Sequence, residues 1–437
     1  MAPGSDASPE ALGLRTHPLT SVVQGALWAA AASVGLISSI FTGDGWGDMS
    51  ALLSLVISLV GGLVVGMGVG YLSWRFTRYV IDGTELRINS GIITKASRRI
   101  PYERIQSVDI AEPLVARLFG LAELRIEMAG GRDSRTSLRF LSLDDARDLR
   151  RVLLARAHGS PQDAPAEEHR SIITVVTPQR VMIGTLLSLD FLFAAVGTIA
   201  LLVGAIWFGQ VIVLLGGIIP LGSWIVQIVG KRVLQQWDFT LSRGERGLRI
   251  ERGLLSRTSQ TIPYARVQGI AIKEPYVWRR FGWLRLEVDV AGYAAHGDDE
   301  GVDSSSILLP ISDRPLADAV IAELIPGSAV ESVPRTAAPR RSRLFAPIGW
   351  RFRWVGANER TFVAREGWIE RTTNIVPHHK TQSVELRQGP LQRRRRLATI
   401  EVHTPQGPVD ADGRNLDERD ARAVALAQLE RARAARG

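Results

Sequence analysis

The sequence predicts a membrane protein of mixed α and β class, with two transmembrane helical hairpins and three small antiparallel β-barrel or sandwich modules, each capped by a C-terminal helix. Three observations carry this. One motif occurs three times, as Ile100-Pro-Tyr-Glu-Arg-Ile-Gln-Ser-Val108, Ile262-Pro-Tyr-Ala-Arg-Val-Gln-Gly-Ile270 and Val376-Pro-His-His-Lys-Thr-Gln-Ser-Val384. Its surroundings keep the same spacing. Gly91 to Gly253 and Pro101 to Pro263 are each 162 positions, and Arg75 to Arg351, Gly91 to Gly367 and Pro101 to Pro377 are each 276. Offsets this constant mean duplication of one folding unit. Second, long uncharged stretches come in pairs ahead of the first two copies. Third, the text between them alternates polar and apolar residues, as half-buried strands do.

The uncharged stretches are 21–42 and 50–74, then roughly 181–207 and 210–230. Each is long enough to cross a hydrocarbon core of about 30 Å as a helix. Arg15, Arg75, Arg78, Arg170, Arg180, Lys231 and Arg232 flank their outer ends, whereas the first hairpin loop carries Asp44 and Asp48. By the positive-inside rule both termini and all three modules are cytoplasmic, on a bacterial inner membrane. The segment before residue 21 includes Asp6 and Glu10 and lacks the pattern of a cleaved signal.

The first module starts with Arg78–Ile81, turns at Asp82-Gly83, and continues through Glu85–Ile88, Ile92–Ile100, Ile105–Ile110 and Leu124–Glu127. An Asp-Gly pair between apolar runs is a strong hairpin signal. Ser142–Arg156 then has helical spacing and a polar start. The second module places strands in 237–290 and a helix over Ser312–Leu324. The third ends in a helix over Leu416–Leu429. The resulting organisation is a polar tail (1–20), hairpin one (21–74), module one (75–157), a linker (158–180), hairpin two (181–230), module two (231–326), a basic linker (327–350) and module three (351–437). A Gly-, Asp- and Ser-rich insertion at 292–306 reads as a mobile loop.

Motif, hairpins and closing helix together resemble the bacterial pleckstrin-homology-like membrane proteins of the YdbS/YdbT type, from residue 21 onward. The resemblance implies a seven-stranded pleckstrin-homology-like (PH-like) barrel capped by a helix, with no defined biochemical role. One departure stands out. The third unit of such proteins often follows its own hairpin, but here Leu344–Trp350 is too short to span.

Composition narrows the function. The 437 residues leave room for about three domains. No cysteine is present, so disulfides and Cys-based metal sites are excluded. Residues 335–401 hold 14 Arg, 1 Lys and 5 Glu, a net of +10, against +9 for the whole chain. The basic excess therefore sits in the third module and its linker. Arg104, Arg266 and Lys380 keep a cation at one place in the motif. They read either as an anion-binding rim or as solvated charges beside a structural corner made by the Pro and Gln residues. The run Arg393, Arg394, Arg395 and Arg396 replaces mixed apolar and basic stretches in the other copies. Near an anionic leaflet each such cation is worth about 1 kcal/mol. Nucleic acid is not expected, since no stacking array or groove-reading motif accompanies the run.

Asp190 lies within the third uncharged stretch, where an ionisable group is costly unless paired, and Gln227 is a polar partner within reach. The glycines of the second stretch, Gly61 to Gly70, read as close helix packing. His378 and His379 are adjacent on an expected strand, point to opposite sides and so do not converge on a metal. No Gly-rich phosphate loop has the right context. Ser304–Ser306 has no histidine pattern nearby. The sequence thus predicts no enzyme, no cofactor and no metal. It predicts a membrane scaffold that binds anionic phospholipid headgroups, a protein partner or further copies of itself. The alternative is an exporter or a resistance protein against membrane-active peptides, in which Asp190 acts within the helical bundle.

Overall fold

The computed structural model describes residues 13–15, 49–76, 78–90, 96–128, 135–157, 171–208, 232–244, 247–291, 306–405 and 407–436, with a few positions between 222 and 230. The chain falls into two compact units, Met1–Glu167 with Leu255–Ser259, and Glu168–Leu254 with Gln260–Gly437.

In unit 1 the strands are β1 (Gly13–Arg15), β2 (Arg78–Ile81), β3 (Glu85–Ser90), β4 (Ala96–Pro101), β5 (Ile105–Pro113), β6 (Leu121–Met128) and β7 (Arg135–Ser142). Helix α1 (Met49–Phe76) precedes β2, α2 (Leu114–Leu118) joins β5 to β6, and α3 (Leu143–Ala157) closes the module. β1 to β4 form one antiparallel sheet, and β5 to β7 form part of another. Tyr79, Leu86, Ile100, Leu124, Ile126, Leu149 and Leu153 pack between them as a continuous core. Unit 1 also contains the pairing of Ser256–Ser259 with Ile110–Pro113.

Unit 2 repeats the plan twice. Its first set is β8 (Ser171–Val176), α4 (Pro178–Leu186), α5 (Leu189–Phe208), β9 (Phe239–Arg243), β10 (Gly247–Arg252), β11 (Ser256–Pro263, of which the part from Gln260 falls in this unit), β12 (Val267–Pro275), α6 (Tyr276–Arg280), β13 (Trp283–Val290), β14 (Ile307–Asp313) and α7 (Arg314–Leu324). Its second set is β15 (Arg335–Ala337), β16 (Trp354–Ala357), β17 (Thr361–Glu366), β18 (Glu370–Pro377), β19 (Ser383–Arg387), α8 (Pro390–Arg395), β20 (Leu397–His403), β21 (Ala411–Asp417) and α9 (Glu418–Ala434).

The first strand of each set lies outside the module boundaries that composition predicts. β1 sits in the 1–20 tail, β8 in the 158–180 linker and β15 in the 327–350 linker. Each pairs antiparallel with the strand that follows the apolar or linking segment: β1 with β2, β8 with β9, β15 with β16. The apolar helices are thus inserted into a module after its first strand. Three to six residues are too few for alternation to show in the text, which is why composition reads them as linker. In the third set two 3-10 turns, Arg340–Leu344 and Gly349–Phe352, take the inserted position. The closing helices also start later than the sequence predicts, at Arg314 and Glu418. Ser312 and Leu416 are both fully buried in the strands before them.

Among the described residues one helix is long and apolar enough to cross a membrane, Leu189–Trp207, and α1 holds a shorter apolar stretch, Leu59–Leu72. The expected spans at 21–42 and 210–230 fall wholly or largely outside the described residues, as does the insertion at 292–306.

The sheet β14-β13-β12-β18-β17-β16-β15 joins the two modules of unit 2. β12 pairs with β18 over six residues, from Ile270↔Ile375 to Pro275↔Glu370. Both faces of the central strands are covered. Ile270, Ile272, Val363, Ile375 and Trp354 belong to the core of the second module. Ala271, Val355, Phe362, Ala364 and Val376 belong to the core of the third. A sheet buried on both sides needs runs of apolar residues instead of alternation, which the stretch Phe362-Val-Ala364 supplies.

Candidate membrane-facing site

The repeated motif builds a corner. Each Pro ends a strand, and the next three residues form a 3-10 turn: Tyr102–Arg104, Tyr264–Arg266 and His378–Lys380. His378 and His379 therefore lie in a turn, where the sequence predicts a strand. The residue after each Pro fastens the corner to its surroundings. The Tyr102 hydroxyl donates to the Asp82 carbonyl at 2.7 Å and accepts from Arg156 of α3 at 3.1 Å. The Tyr264 hydroxyl donates to Glu323 of α7 at 2.7 Å. His378 Nε2 lies 2.9 Å from the Asn358 carbonyl, and its ring is buried. Burial lowers the pKa of His378 from the ordinary imidazole range. The Gln268 side chain donates to the Arg266 carbonyl at 3.0 Å. These are roles in holding a turn.

The motif cations differ in surroundings. Arg104 is exposed and Arg266 is half-buried. Lys380 donates to the Ala265 carbonyl at 2.7 Å, and burial lowers its pKa. The ammonium of Lys380 thus ties the third module's corner to that of the second.

Asp190 sits in the first turn of α5 and pairs with Arg232 at 2.5 Å. The chain breaks its helix at Leu187-Ser188, so the apolar helix begins at Leu189 and Asp190 marks its end. The sequence placed it deeper and offered Gln227 as partner. A carboxylate at a helix N-terminus is also favoured by the helix dipole.

The foot of α5 is bolted to the second module. The Trp278 indole is fully buried and donates to the Gly184 carbonyl of α4 at 3.1 Å. Arg180 pairs with Asp313, and its guanidinium lies over the Trp283 ring. Gly184 has no spare room, because a Cβ there would meet Ile311 Cδ1 at 2.1 Å. Around this foot α6 and the β17–β18 turn carry exposed aromatic and apolar side chains: Tyr276, Phe281, Trp368 and Ile369. The Tyr276 and Trp368 rings are 5.9 Å apart, and Arg279 and Arg280 lie over Tyr276. In unit 1, α2 and the residue after it present Leu114, Leu118 and Phe119 beside Arg117.

The third module places its arginine run at this same position in the repeat. Arg393, Arg394 and Arg395 end α8, with exposed Leu391 beside them. All four arginines are exposed, and none of their guanidiniums pairs with a carboxylate among the described residues. Arg341 bonds the Arg396 carbonyl at 3.0 Å and pairs with Asp417, which draws the basic linker turn against α8. Arg396 has φ 53, in the left-handed region. The equivalent positions, 276 and 114 residues earlier, are Gly120 and Gly282, with φ 66 and 67. Two repeats use glycine where the geometry asks for it, and the third uses arginine at a steric cost of about 1–2 kcal/mol.

Sequence reasoning missed this strain, which only alignment of the three repeats at Gly120 would suggest. It also missed the cluster Glu385, Glu401 and His403, whose ligand atoms come close enough to surround a metal ion. Arg387 already bridges both carboxylates, at 3.4 Å to Glu385 and 3.2 Å to Glu401, so the cluster is a cross-strand ion-pair network.

Comparison with known proteins agrees with this architecture. The bacterial PH domain family matches the chain at residues 26–157, 190–327 and 336–433. The chain belongs to the bacterial PH domain family. The first two matches begin after β1 and β8, so they cover the remaining strands and the closing helix of each module. The chain is also similar to the UPF0699 transmembrane protein YdbT of Bacillus subtilis (strain 168), at 24% identity over 75% of this chain and 80% of that one.

Proposed function

We propose that this member of the bacterial PH domain family is a non-catalytic, multi-pass membrane protein that presents its modules at the cytoplasmic face. There the third module binds the headgroups of anionic phospholipids. Two inserted hairpins carry the first two modules on the bilayer, in line with the transmembrane description of the Bacillus relative and the uncharged stretches of the sequence. The third module has no such insert and is drawn to the surface by charge.

The observation that carries this reading is the Arg393–Arg396 cluster, exposed, without carboxylate partners among the described residues, and completed by an arginine held in a glycine conformation. A strained residue at a charged surface points to function. Four cations near an anionic leaflet give about 4 kcal/mol, and burial of an exposed leucine such as Leu391 adds about 2 kcal/mol. Together these exceed the strain.

The test uses the full chain in nanodiscs of zwitterionic or anionic lipid. Hydrogen exchange over 390–396 is expected to slow in anionic lipid, to recover at high salt, and to be insensitive to lipid in an Arg393–Arg396→Ala variant. Equal exchange in both lipids would sink the proposal.

A further inference from the structure

One strand pairing recurs, with the same register, in each of the two units. In unit 2, β12 takes β18 along its outer edge, and Pro275 faces Glu370. In unit 1, β5 takes residues 256–259 along its outer edge, and Pro113 faces Ser256. Adding 162 to Pro113 gives Pro275, and adding 114, the difference between 276 and 162, to Ser256 gives Glu370. The two junctions therefore share one register. In unit 2 the fifth strand of one repeat accepts the fourth strand of the next.

Two strands of these types have no such partner among the described residues. β19, the fifth strand of the third repeat, is the outer strand of the sheet β19-β20-β21. Its Ser383, Glu385, Leu386 and Arg387 are exposed. β4, the fourth strand of the first repeat, is the outer strand of the sheet β1-β2-β3-β4. An outer strand presents a row of backbone donors and acceptors that another strand can pair with.

We propose that the outer edge of β19 is a strand-addition site for β4 of a second copy of this chain, in the register that β5 and β12 already use. Carrying that register over by the repeat offsets sets Arg387 against Ala96, Leu386 against Ser97, Glu385 against Arg98 and Val384 against Arg99. Glu385 thus faces a cation. Directly opposed unlike charges stabilise a strand pair, whereas like charges oppose it. The contact is head-to-tail, so it leaves the β4 edge of one copy and the β19 edge of the other available, and copies add into rings or open filaments. This inference does not rest on lipid binding, and lipid and strand addition can fail separately.

The absence of cysteine makes the test clean. Full-length Leu386→Cys and Ser97→Cys proteins are reconstituted together in lipid vesicles and oxidised. A disulfide-linked dimer is expected from the mixture and not from either protein alone, and the Leu386→Cys/Ser97→Cys double variant is expected to give a ladder of higher oligomers. Glu385→Arg, introduced into the Leu386→Cys protein, should reduce the dimer several-fold, and Arg98→Glu in the Ser97→Cys protein should restore it. Unchanged thermal midpoints establish that the variants fold. The proposal is overturned if the mixture gives no dimer. It is equally overturned if Leu426→Cys, on exposed α9, links to Ser97→Cys as well as Leu386→Cys does, or if the double variant closes only within one chain.

Discussion

At the scale of single residues, backbone conformation and burial decide where this protein tolerates cost. Arg396 holds a left-handed conformation that its counterparts Gly120 and Gly282 adopt without a Cβ. Arg396→Gly is expected to raise stability by about 1 kcal/mol, measured as the midpoint of chemical denaturation, while it weakens the response to anionic lipid. A loss of stability would show that the guanidinium has a structural partner. Asp289, at the end of β13, carries a cost of a different kind, because its carboxyl is buried. Burial raises its carboxyl from 3.8 to about 7. Between these values the folded state keeps a proton that the unfolded chain releases, so stability falls as pH rises from about 4 to about 7. Asp289→Asn is expected to be stabilising by about 1–3 kcal/mol at pH 8 and neutral at pH 4. A difference that is the same at both pH values would mean that burial does not shift the titration of this carboxyl. Neither feature is legible in the residue itself, because Arg396 looks like one more arginine of a basic run.

At the scale of elements, the foot of the apolar helix is the decisive contact. α4 is a short amphipathic helix whose Val181, Gly184 and Thr185 are buried. It transmits the position of α5 to the second module through Trp278. Gly184→Ala places a methyl group against Ile311 and the Trp278 ring. Such overpacking costs about 1–3 kcal/mol and should separate helix from module. The expected signature is faster hydrogen exchange in α4 and around Trp278, with exchange in β16 to β18 unchanged. Uniform exchange throughout would show that α4 is not the link. The sequence reads 181–207 as one continuous span because every residue in it except Asp190 is uncharged. Charge alone cannot show the break at Leu187-Ser188. That break follows from the packing of α4 on the module, where Ser188 is buried and caps the next turn through its bond to the Phe191 amide.

At the scale of the whole molecule, the second and third modules of unit 2 share a sheet whose two faces feed two cores. They are expected to unfold as one. Hydrogen exchange in rising denaturant should give β12 and β18 a common midpoint, and well-separated midpoints would refute the coupling. Removal of the third module would bare the edge of β12 and uncover its partly apolar face, an invitation to aggregation. The same reasoning explains why the basic linker is short of a span. β15 must reach β16 within the sheet, and two 3-10 turns suffice where the other repeats insert helices.

Much of this protein is readable without coordinates. The triple motif, its offsets of 162 and 276, the uncharged stretches and the closing helices are local patterns, each set by neighbours a few residues apart in the chain. They determine the number of modules, their β character and the presence of apolar helices. Tertiary structure alone decided three things: that β1, β8 and β15 belong to modules from which they are separated by helices or turns, that Asp190 pairs with Arg232, and that β12 takes β18 as its neighbour. Each joins residues well apart in the chain, from about twenty positions between β15 and β16 to about a hundred between β12 and β18. Backbone hydrogen bonds are chemically the same for every strand, so side-chain text does not say which strand will be chosen. The choice is made by the apolar surface that a given pairing removes from water.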